Sequence, residues 1–182
     1  MSAGRKVNTK SQNWNTPPKY VDAIKNFFGG SISLDPCSNP TSIVHADNEI
    51  MLPDDGLLVD WERFPTVFVN PPYGRDRERG TSISDWLKKC ADSSELGCDV
   101  IALVPVATNT NHWKRYVFGS ADAICFLYDT RLKFLENGIE SKKGAPMACA
   151  LVYWGCRPNT FIQKFTQFGA AINLGALKKE NQ

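Results

Sequence analysis

Residues 66–74 read Thr-Val-Phe-Val-Asn-Pro-Pro-Tyr-Gly. Thr66 to Val69 is an unbroken run of β-branched and aromatic side chains, the composition of a strand covered on both faces. Pro71 and Pro72 have no N–H to give to a ladder, so this strand ends at or before Asn70. A buried strand therefore delivers a short amide, a rigid turn and an aromatic side chain, expected to be exposed, at its carboxyl end. In open α/β sheets that end is where ligands bind.

The flanking segments extend the same architecture. Upstream, Thr16-Pro17-Pro18 reads as a Thr N-cap with proline at the first helical position, and Tyr20, Val21, Ile24, Phe27 and Phe28 follow at helical spacing. The helix over 17–28 is closed by Gly29-Gly30. A short strand over 31–34 then stops at the turn-rich Asp35-Pro36-Cys37-Ser38-Asn39-Pro40. Residues 47–62 hold six acids and no Lys or Arg and read as an irregular connection.

Downstream, residues 74–81 form a charged loop bounded by glycines, after which Ile83, Trp86, Leu87 and Cys90 continue as an amphipathic helix. Strands are expected at 100–104, 123–127 and 148–154. Asn111 is expected to cap a helix carrying Trp113, Tyr116 and Val117, and a last helix opens at Pro158 and buries Phe161, Ile162, Phe165 and Phe168. Trp86 and Trp113 fall in apolar patterns and are expected in the core. The glycines and mixed charges of 131–146 suggest a long hairpin between the last two strands. Strands alternating with helices predict a three-layer α/β sheet, mostly parallel, with an antiparallel last strand. The Asp35 turn and the Asn70 turn then share one rim.

With 182 residues, 42% apolar and 22% charged, the chain fits a single domain over 13–182 behind a basic N-terminal arm over 1–12 (Arg5, Lys6, Lys10). A net charge of +2 leaves a nucleic-acid partner open. The six cysteines include no C-x-x-C pair and several lie in apolar runs, which predicts reduced, mostly buried thiols. His45 and His112 are isolated, so no metal site is expected. No apolar run is long enough to span a bilayer and no signal core is present, which predicts a cytoplasmic protein.

Each part of Asn70-Pro71-Pro72-Tyr73 has a physical task if the substrate is a planar base carrying an amino group. An aromatic amine is a poor nucleophile because its lone pair is delocalised into the ring. Two acceptors, the Asn70 side-chain oxygen and the Pro71 carbonyl, can bind its hydrogens and steer the nitrogen towards tetrahedral geometry. The prolines hold those acceptors in place, and Tyr73 can stack on the base. Asn-Pro and Pro-Pro are also common turn dipeptides, so the tetrapeptide alone leaves a purely structural turn open.

Further blocks decide the resemblance. They are Trp14-Asn15-Thr16-Pro17, Leu34-Asp35-Pro36-Cys37-Ser38, Asp54-Asp55-Gly56-Leu57 with Trp61, Asn70 to Gly74, Leu103-Val104-Pro105 with Thr108-Asn109-Thr110 and Trp113, Cys125-Phe126-Leu127, and Leu151 to Gly155. Taken together, the chain resembles the amino-methyltransferases, and most closely the phage-encoded DNA adenine-methyltransferases known as the phage Dam family. The resemblance implies a Rossmann-like methyltransferase sheet of seven strands, S-adenosylmethionine as cofactor, and methylation of the exocyclic amine of an adenine flipped out of DNA. It implies a catalytic Asn70-Pro71-Pro72-Tyr73 and a cofactor site built from Trp14, Thr16, Asp35, Pro36, Cys37 and Ser38. Asp55 and Asp60, with Asp47 behind them, are candidates for the ribose and adenine.

Arg75, Arg77 and Arg79 after the catalytic motif, and Lys142 and Lys143 on the hairpin, are candidates for DNA phosphates. Alternation of Arg with Asp and Glu equally describes a self-compensating solvated loop. The usual Phe-x-Gly-x-Gly loop of methyltransferases is replaced by Asp-Pro-Cys-Ser, and Asn70 stands where many adenine enzymes carry Asp. Enzymes that methylate RNA bases or protein glutamine share the Asn-Pro-Pro-Tyr motif, and a DNA-binding module without cofactor is a further alternative. The resemblance also implies action in a bacterial or phage-infected cell, with protection of DNA from restriction as a purpose.

Overall fold

The computed structural model describes residues 14–129, 132–136, 139–140 and 147–178. The basic arm and the hairpin lysines Lys142 and Lys143 lie outside these residues. In chain order the elements are β1 (Trp14–Asn15), α1 (Pro18–Phe28), β2 (Leu34–Asp35), β3 (Asn48–Glu49), a 3-10 turn (Trp61–Arg63), β4 (Thr66–Val69) and α2 (Ile83–Glu95). There follow β5 (Asp99–Pro105), a π-helical turn (Trp113–Phe118), β6 (Ala123–Leu127), β7 (Leu135–Glu136) and β8 (Ile139–Glu140). The chain closes with β9 (Cys149–Trp154), α3 (Pro158–Phe165), β10 (Gly169–Asn173) and α4 (Gly175–Lys178).

Seven strands form the main sheet in the order β10-β6-β9-β5-β4-β2-β3. The β3-β2-β4-β5 half is parallel, whereas β9 is antiparallel to both β5 and β6, and β10 is antiparallel to β6. The expected antiparallel strand is thus β9, inserted between β5 and β6. Two strands of the main sheet were not foreseen, and neither was β1. β3 has only two residues inside the acidic connection, and β10, Gly-Ala-Ala-Ile-Asn, lacks the bulky run that marks a buried strand. The connection between β6 and β9 carries the antiparallel pair β7-β8, to which β1 adds as a third strand.

Alternation along the strands splits the core in two. Phe68, Ile101 and Leu103 face α1 and α3, where Phe161 and Phe165 stack at 4.4 Å. Val67, Val69, Val100, Ala102 and Val104 face α2 and the π-helical turn, with Trp86 and Trp113 buried among them as expected. The result is the three-layer α/β architecture.

Helix ends follow local rules with two departures. Gly29 adopts a left-handed φ of 95° and its N–H caps the Lys25 carbonyl, ending α1. Asp85 accepts from both the N–H and the hydroxyl of Ser82, which fixes the start of α2. Thr16 does not cap α1: Pro17 takes the cap position, and Thr16 Oγ1 has no partner among the described residues. Nor does Asn111 cap the next helix, because the Thr110 carbonyl accepts from Lys114 at 3.1 Å and Asn111 falls inside the first turn.

Candidate functional site

The parallel register that pairs Leu34 with Val67 brings the ends of β2 and β4 to one rim. Asp35 ends β2 with 4% exposure, and its Oδ1 accepts from Cys37 N–H at 3.0 Å. Burial raises the Asp35 carboxyl from 3.8 to about 7, and the Glu49 charge pushes the same way. Cys37 joins the two turns: its sulphur faces the backbone N–H of Asn70, while burial and the Asp35 charge push its thiol well above the usual range.

The segment before α1 is tied to this turn by amides. Asn15 Nδ2 donates to the Thr41 carbonyl at 2.6 Å, and Asn39 Nδ2 donates to Asn15 Oδ1 at 2.6 Å. On the two segments so joined, Thr16 Oγ1 and Ser38 Oγ are buried without hydrogen-bond partners among the described residues. Hydroxyls left in that state cost free energy unless a ligand supplies the missing partner. Trp14 joins the arrangement through its backbone, pairing with Glu136.

A third wall is the Asp54-Asp55-Gly56-Leu57 turn. A Cβ on Gly56 would stand 1.9 Å from the Pro36 carbonyl oxygen, so only glycine allows this approach. The Gly56 carbonyl accepts from Trp61 Nε1 at 2.8 Å, and Asp55 Oδ1 accepts from Leu57 N–H at 3.0 Å. Asp55 is thereby placed beside Pro36.

Asp60 is not brought to this rim. Its charge acts on Cys98, whose thiol donates to the Trp61 carbonyl just before the start of β5, at the opposite end of the sheet. Asp47 is exposed and weakly engages Ser31. The acid found next to Asp35 is instead Glu49, at the end of β3, which accepts from Ser42 Oγ at 3.2 Å and from Ala46 N–H at 3.4 Å. An acid at the end of the strand beside the first turn is where a doubly wound fold places its ribose ligand. A two-residue strand left too little periodicity in the sequence to reveal it.

Beyond β4, Pro71 is buried and Asn70 half-buried. Tyr73, expected to be exposed, is half-buried: its ring meets Phe134 edge-on at 6.0 Å. Its hydroxyl lies 3.4 Å from Asn70 Oδ1 and 3.5 Å from the Leu103 carbonyl, and it bonds the Cys149 thiol. In the following loop Asp76 accepts from the N–H groups of Glu78 and Arg79 and pairs with the Arg79 guanidinium at 2.7 Å. Arg79 also reaches Asp55 at 3.9 Å, so it braces the loop against the third wall. Arg75 and Arg77 are exposed.

A cleft lined by Cys98, Asp99, Asp122, Trp154 and Lys178 opens at the far end of the sheet. Two of its acids are already engaged, Asp99 by Tyr153 and Arg157 and Asp122 by Lys178 and the Gly155 N–H, and a third, Glu95, is exposed on its wall. The rim of β2 and β4 is the candidate site. All six cysteines are free thiols, four of them buried. Among the described residues no group of His, Cys, Asp or Glu is placed to hold a metal ion, and no helix is long and apolar enough to cross a membrane.

The three layers and the strand order of the main sheet are those of the Rossmann-like methyltransferase fold. The family model described as DNA N-6-adenine-methyltransferase (Dam) matches residues 4–182, and the chain belongs to this family. Its activity is N6-methylation of adenine in DNA. Comparison with curated proteins and with solved structures gives no match.

Proposed function

We propose that this chain is a site-specific DNA adenine methyltransferase that binds S-adenosylmethionine at the Asp35 rim and methylates an adenine flipped out of the duplex. The observation that carries the reading is the pair of orphaned hydroxyls, Thr16 Oγ1 and Ser38 Oγ, flanking a buried carboxylate one parallel strand away from Asn70. Donors and acceptors without partners, beside an acid whose ionisation is suppressed by burial, suit a polar cationic ligand. Asp35 would pair with an ammonium group, Thr16 and Ser38 with its carboxylate, and Glu49 and Asp55 with ribose hydroxyls or the adenine amine. Trp14, Pro36 and Cys37 are the remaining residues proposed for the cofactor. When bound, S-adenosylmethionine supplies a methyl group already activated on a sulfonium.

The protein's own part is positioning. Asn70 Oδ1 and the Pro71 carbonyl accept the two amine hydrogens and direct the nitrogen lone pair to the methyl donor. Asn70 is neutral, so its carbonyl dipole stabilises the developing positive charge. Pro72 holds the turn, and Tyr73 with Phe134 offers aromatic surface to a base removed from its stack. Arg75 and Arg77, with Lys142 and Lys143, engage phosphates, while Arg79 serves the loop. Such an enzyme acts where the DNA is, in a bacterial or phage-infected cell, and protection of phage DNA from restriction suits it.

The test is incubation of the protein with unmethylated duplex DNA and methyl-labelled S-adenosylmethionine, then digestion to nucleosides and mass spectrometry. Labelled N6-methyladenine is the expected product. Label on RNA or on glutamine instead would reassign the substrate, and absence of saturable cofactor binding would leave only a DNA-binding module.

A further inference from the structure

Among the described residues some cations, Lys19 among them, pair with a carboxylate, while others, Arg63 and Lys164 included, are exposed without one. Arg79, Lys88, Arg157 and Lys178 each face a carboxylate and serve the fold. Arg75 and Arg77, and likewise Lys114 and Arg115, are exposed and face no carboxylate among the described residues. Lys114 and Arg115 belong to a region without any acid, since no Asp or Glu occurs from Val100 to Ala121.

Topology places the 105–112 part of this region on the rim of the catalytic turn, and the π-helical turn runs from there towards the far end of the sheet, where Gly119, Ser120 and Trp154 line the cleft. β5 is the parallel neighbour of β4, with Val69 opposite Ala102, so the chain leaving β5 at Pro105 emerges on the rim that carries Asn70. The Thr110 hydroxyl then donates to the Ala107 carbonyl at 2.7 Å and contacts His112 Nε2 at 3.1 Å. That closes a tight turn whose tip presents Thr108 and Asn109, with Asn111 exposed just beyond. The π-helical turn that follows is pinned from below: Trp154 Nε1 and Ser120 Oγ both donate to the Tyr116 carbonyl, and Gly119 N–H reaches back to Lys114. A Cβ at Gly119 would stand 2.6 Å from the Arg115 carbonyl oxygen, so the wide turn depends on that glycine. Trp113 and Val117 are held in the core while Lys114 and Arg115 face solvent. Wide turns of this kind recur at functional sites.

We propose that residues 108–115 form a second DNA-contacting element, in which Lys114 and Arg115 hold backbone phosphates and Thr108, Asn109 and Asn111 face base edges. The inference rests on the reading of the protein as a DNA methyltransferase. Uncompensated cations suit a polyanion, and exposed amides carry the paired donor and acceptor that match adenine in the major groove. The element stands on the β5 side of the catalytic turn, complementing Arg75 and Arg77, which follow that turn directly.

The experiment measures binding of a duplex that the wild type methylates, across a salt series, for the wild type, the double variant K114A/R115A and the milder K114Q/R115Q. Loss of two phosphate contacts lowers the slope of log K against log salt by about 1.8, and affinity falls at least about tenfold at low salt. Cofactor affinity stays unchanged in both variants. The double variant N109A/N111A keeps the wild-type slope and changes relative methylation rates across duplexes that differ around the target adenine. An unchanged slope in both charge variants, with a wild type that binds and methylates DNA, overturns the phosphate assignment and leaves the methyltransferase reading standing. Unchanged sequence ranking in N109A/N111A overturns the base-edge assignment, and a wild type that neither binds nor methylates DNA brings down both inference and reading.

Discussion

The Tyr73 hydroxyl lies 3.4 Å from Asn70 Oδ1 and 3.5 Å from the Leu103 carbonyl, so one donor lies between an acceptor just past β4 and one on β5. Asn70 Oδ1 is the acceptor assigned to the adenine amine, and the Tyr73 ring is the surface assigned to the base. Asn70→Ala is expected to lower turnover by about 100-fold or more, the scale of losing one preorganised polar group, with cofactor affinity nearly intact. Tyr73→Phe should cost less than tenfold because the ring remains, whereas Tyr73→Ala should cost more than tenfold, mainly in KM for DNA. Steady-state kinetics of the three variants decides it, and equal losses for Phe and Ala would transfer the role to the hydroxyl.

Asp35 is expected to link stability and cofactor binding to pH. Its carboxyl titrates at about 7 in the folded protein against 3.8 when unperturbed, so the folded state holds the extra proton between those values. The stability this proton supports is complete below about pH 4 and is lost as pH rises through 7, by at most about 1.4 kcal/mol per pH unit. Asp35→Asn should remove that slope, raise the melting temperature at pH 8, and abolish binding of S-adenosylmethionine. Cofactor affinity of the wild type should rise with pH up to about 7, with one proton released on binding below that point. Calorimetry in buffers of different ionisation enthalpy reads the proton directly; the same pH profile in wild type and Asp35→Asn would refute the assignment.

Thr16 and Ser38 carry the opposite signs for fold and function. Replacing a buried hydroxyl that has no partner by an apolar group of similar shape relieves a desolvation cost. Thr16→Val and Ser38→Ala are therefore expected to stabilise the free protein by about 1 kcal/mol each and to weaken cofactor binding about tenfold. Chemical denaturation together with cofactor titration checks both signs, and a destabilised variant with unchanged affinity would show the hydroxyls to be structural.

Gly56 tests the third wall. The Cβ of Gly56→Ala meets the Pro36 carbonyl oxygen at 1.9 Å, and because that atom is backbone the two turns must separate. A loss of about 1–3 kcal/mol in stability is expected, with a larger fractional loss of cofactor affinity than of DNA binding. Equal losses of both would mean that the effect is global.

Local chemistry was enough to read much of this protein. The continuous apolar run of Thr66–Val69 ended by two prolines, the stop of α1 at Gly29-Gly30, and the buried positions of Trp86 and Trp113 all follow from composition and spacing within a few residues. The placement of Asp35 and Asn70 on one rim also follows, because parallel strands present their ends together. What local chemistry could not reach depended on partners far along the chain. Glu49, rather than Asp60, reaches the Asp35 rim because a two-residue strand pairs with β2, and neither residue's neighbours in sequence indicate which end of the sheet it occupies. Arg79 is committed to Asp76 and Asp55 while Arg75 and Arg77 face solvent, a division that alternating charge cannot express. Thr16 looked like a helix cap from its position before two prolines, yet its hydroxyl is buried and unpartnered, since Asn15, Asn39 and Thr41 set the path of the chain there. Strand identity and turn chemistry are set by backbone sterics and short-range hydrophobic pattern, which a sequence displays directly. The direction a polar side chain faces is set by long-range packing, which only the folded chain decides.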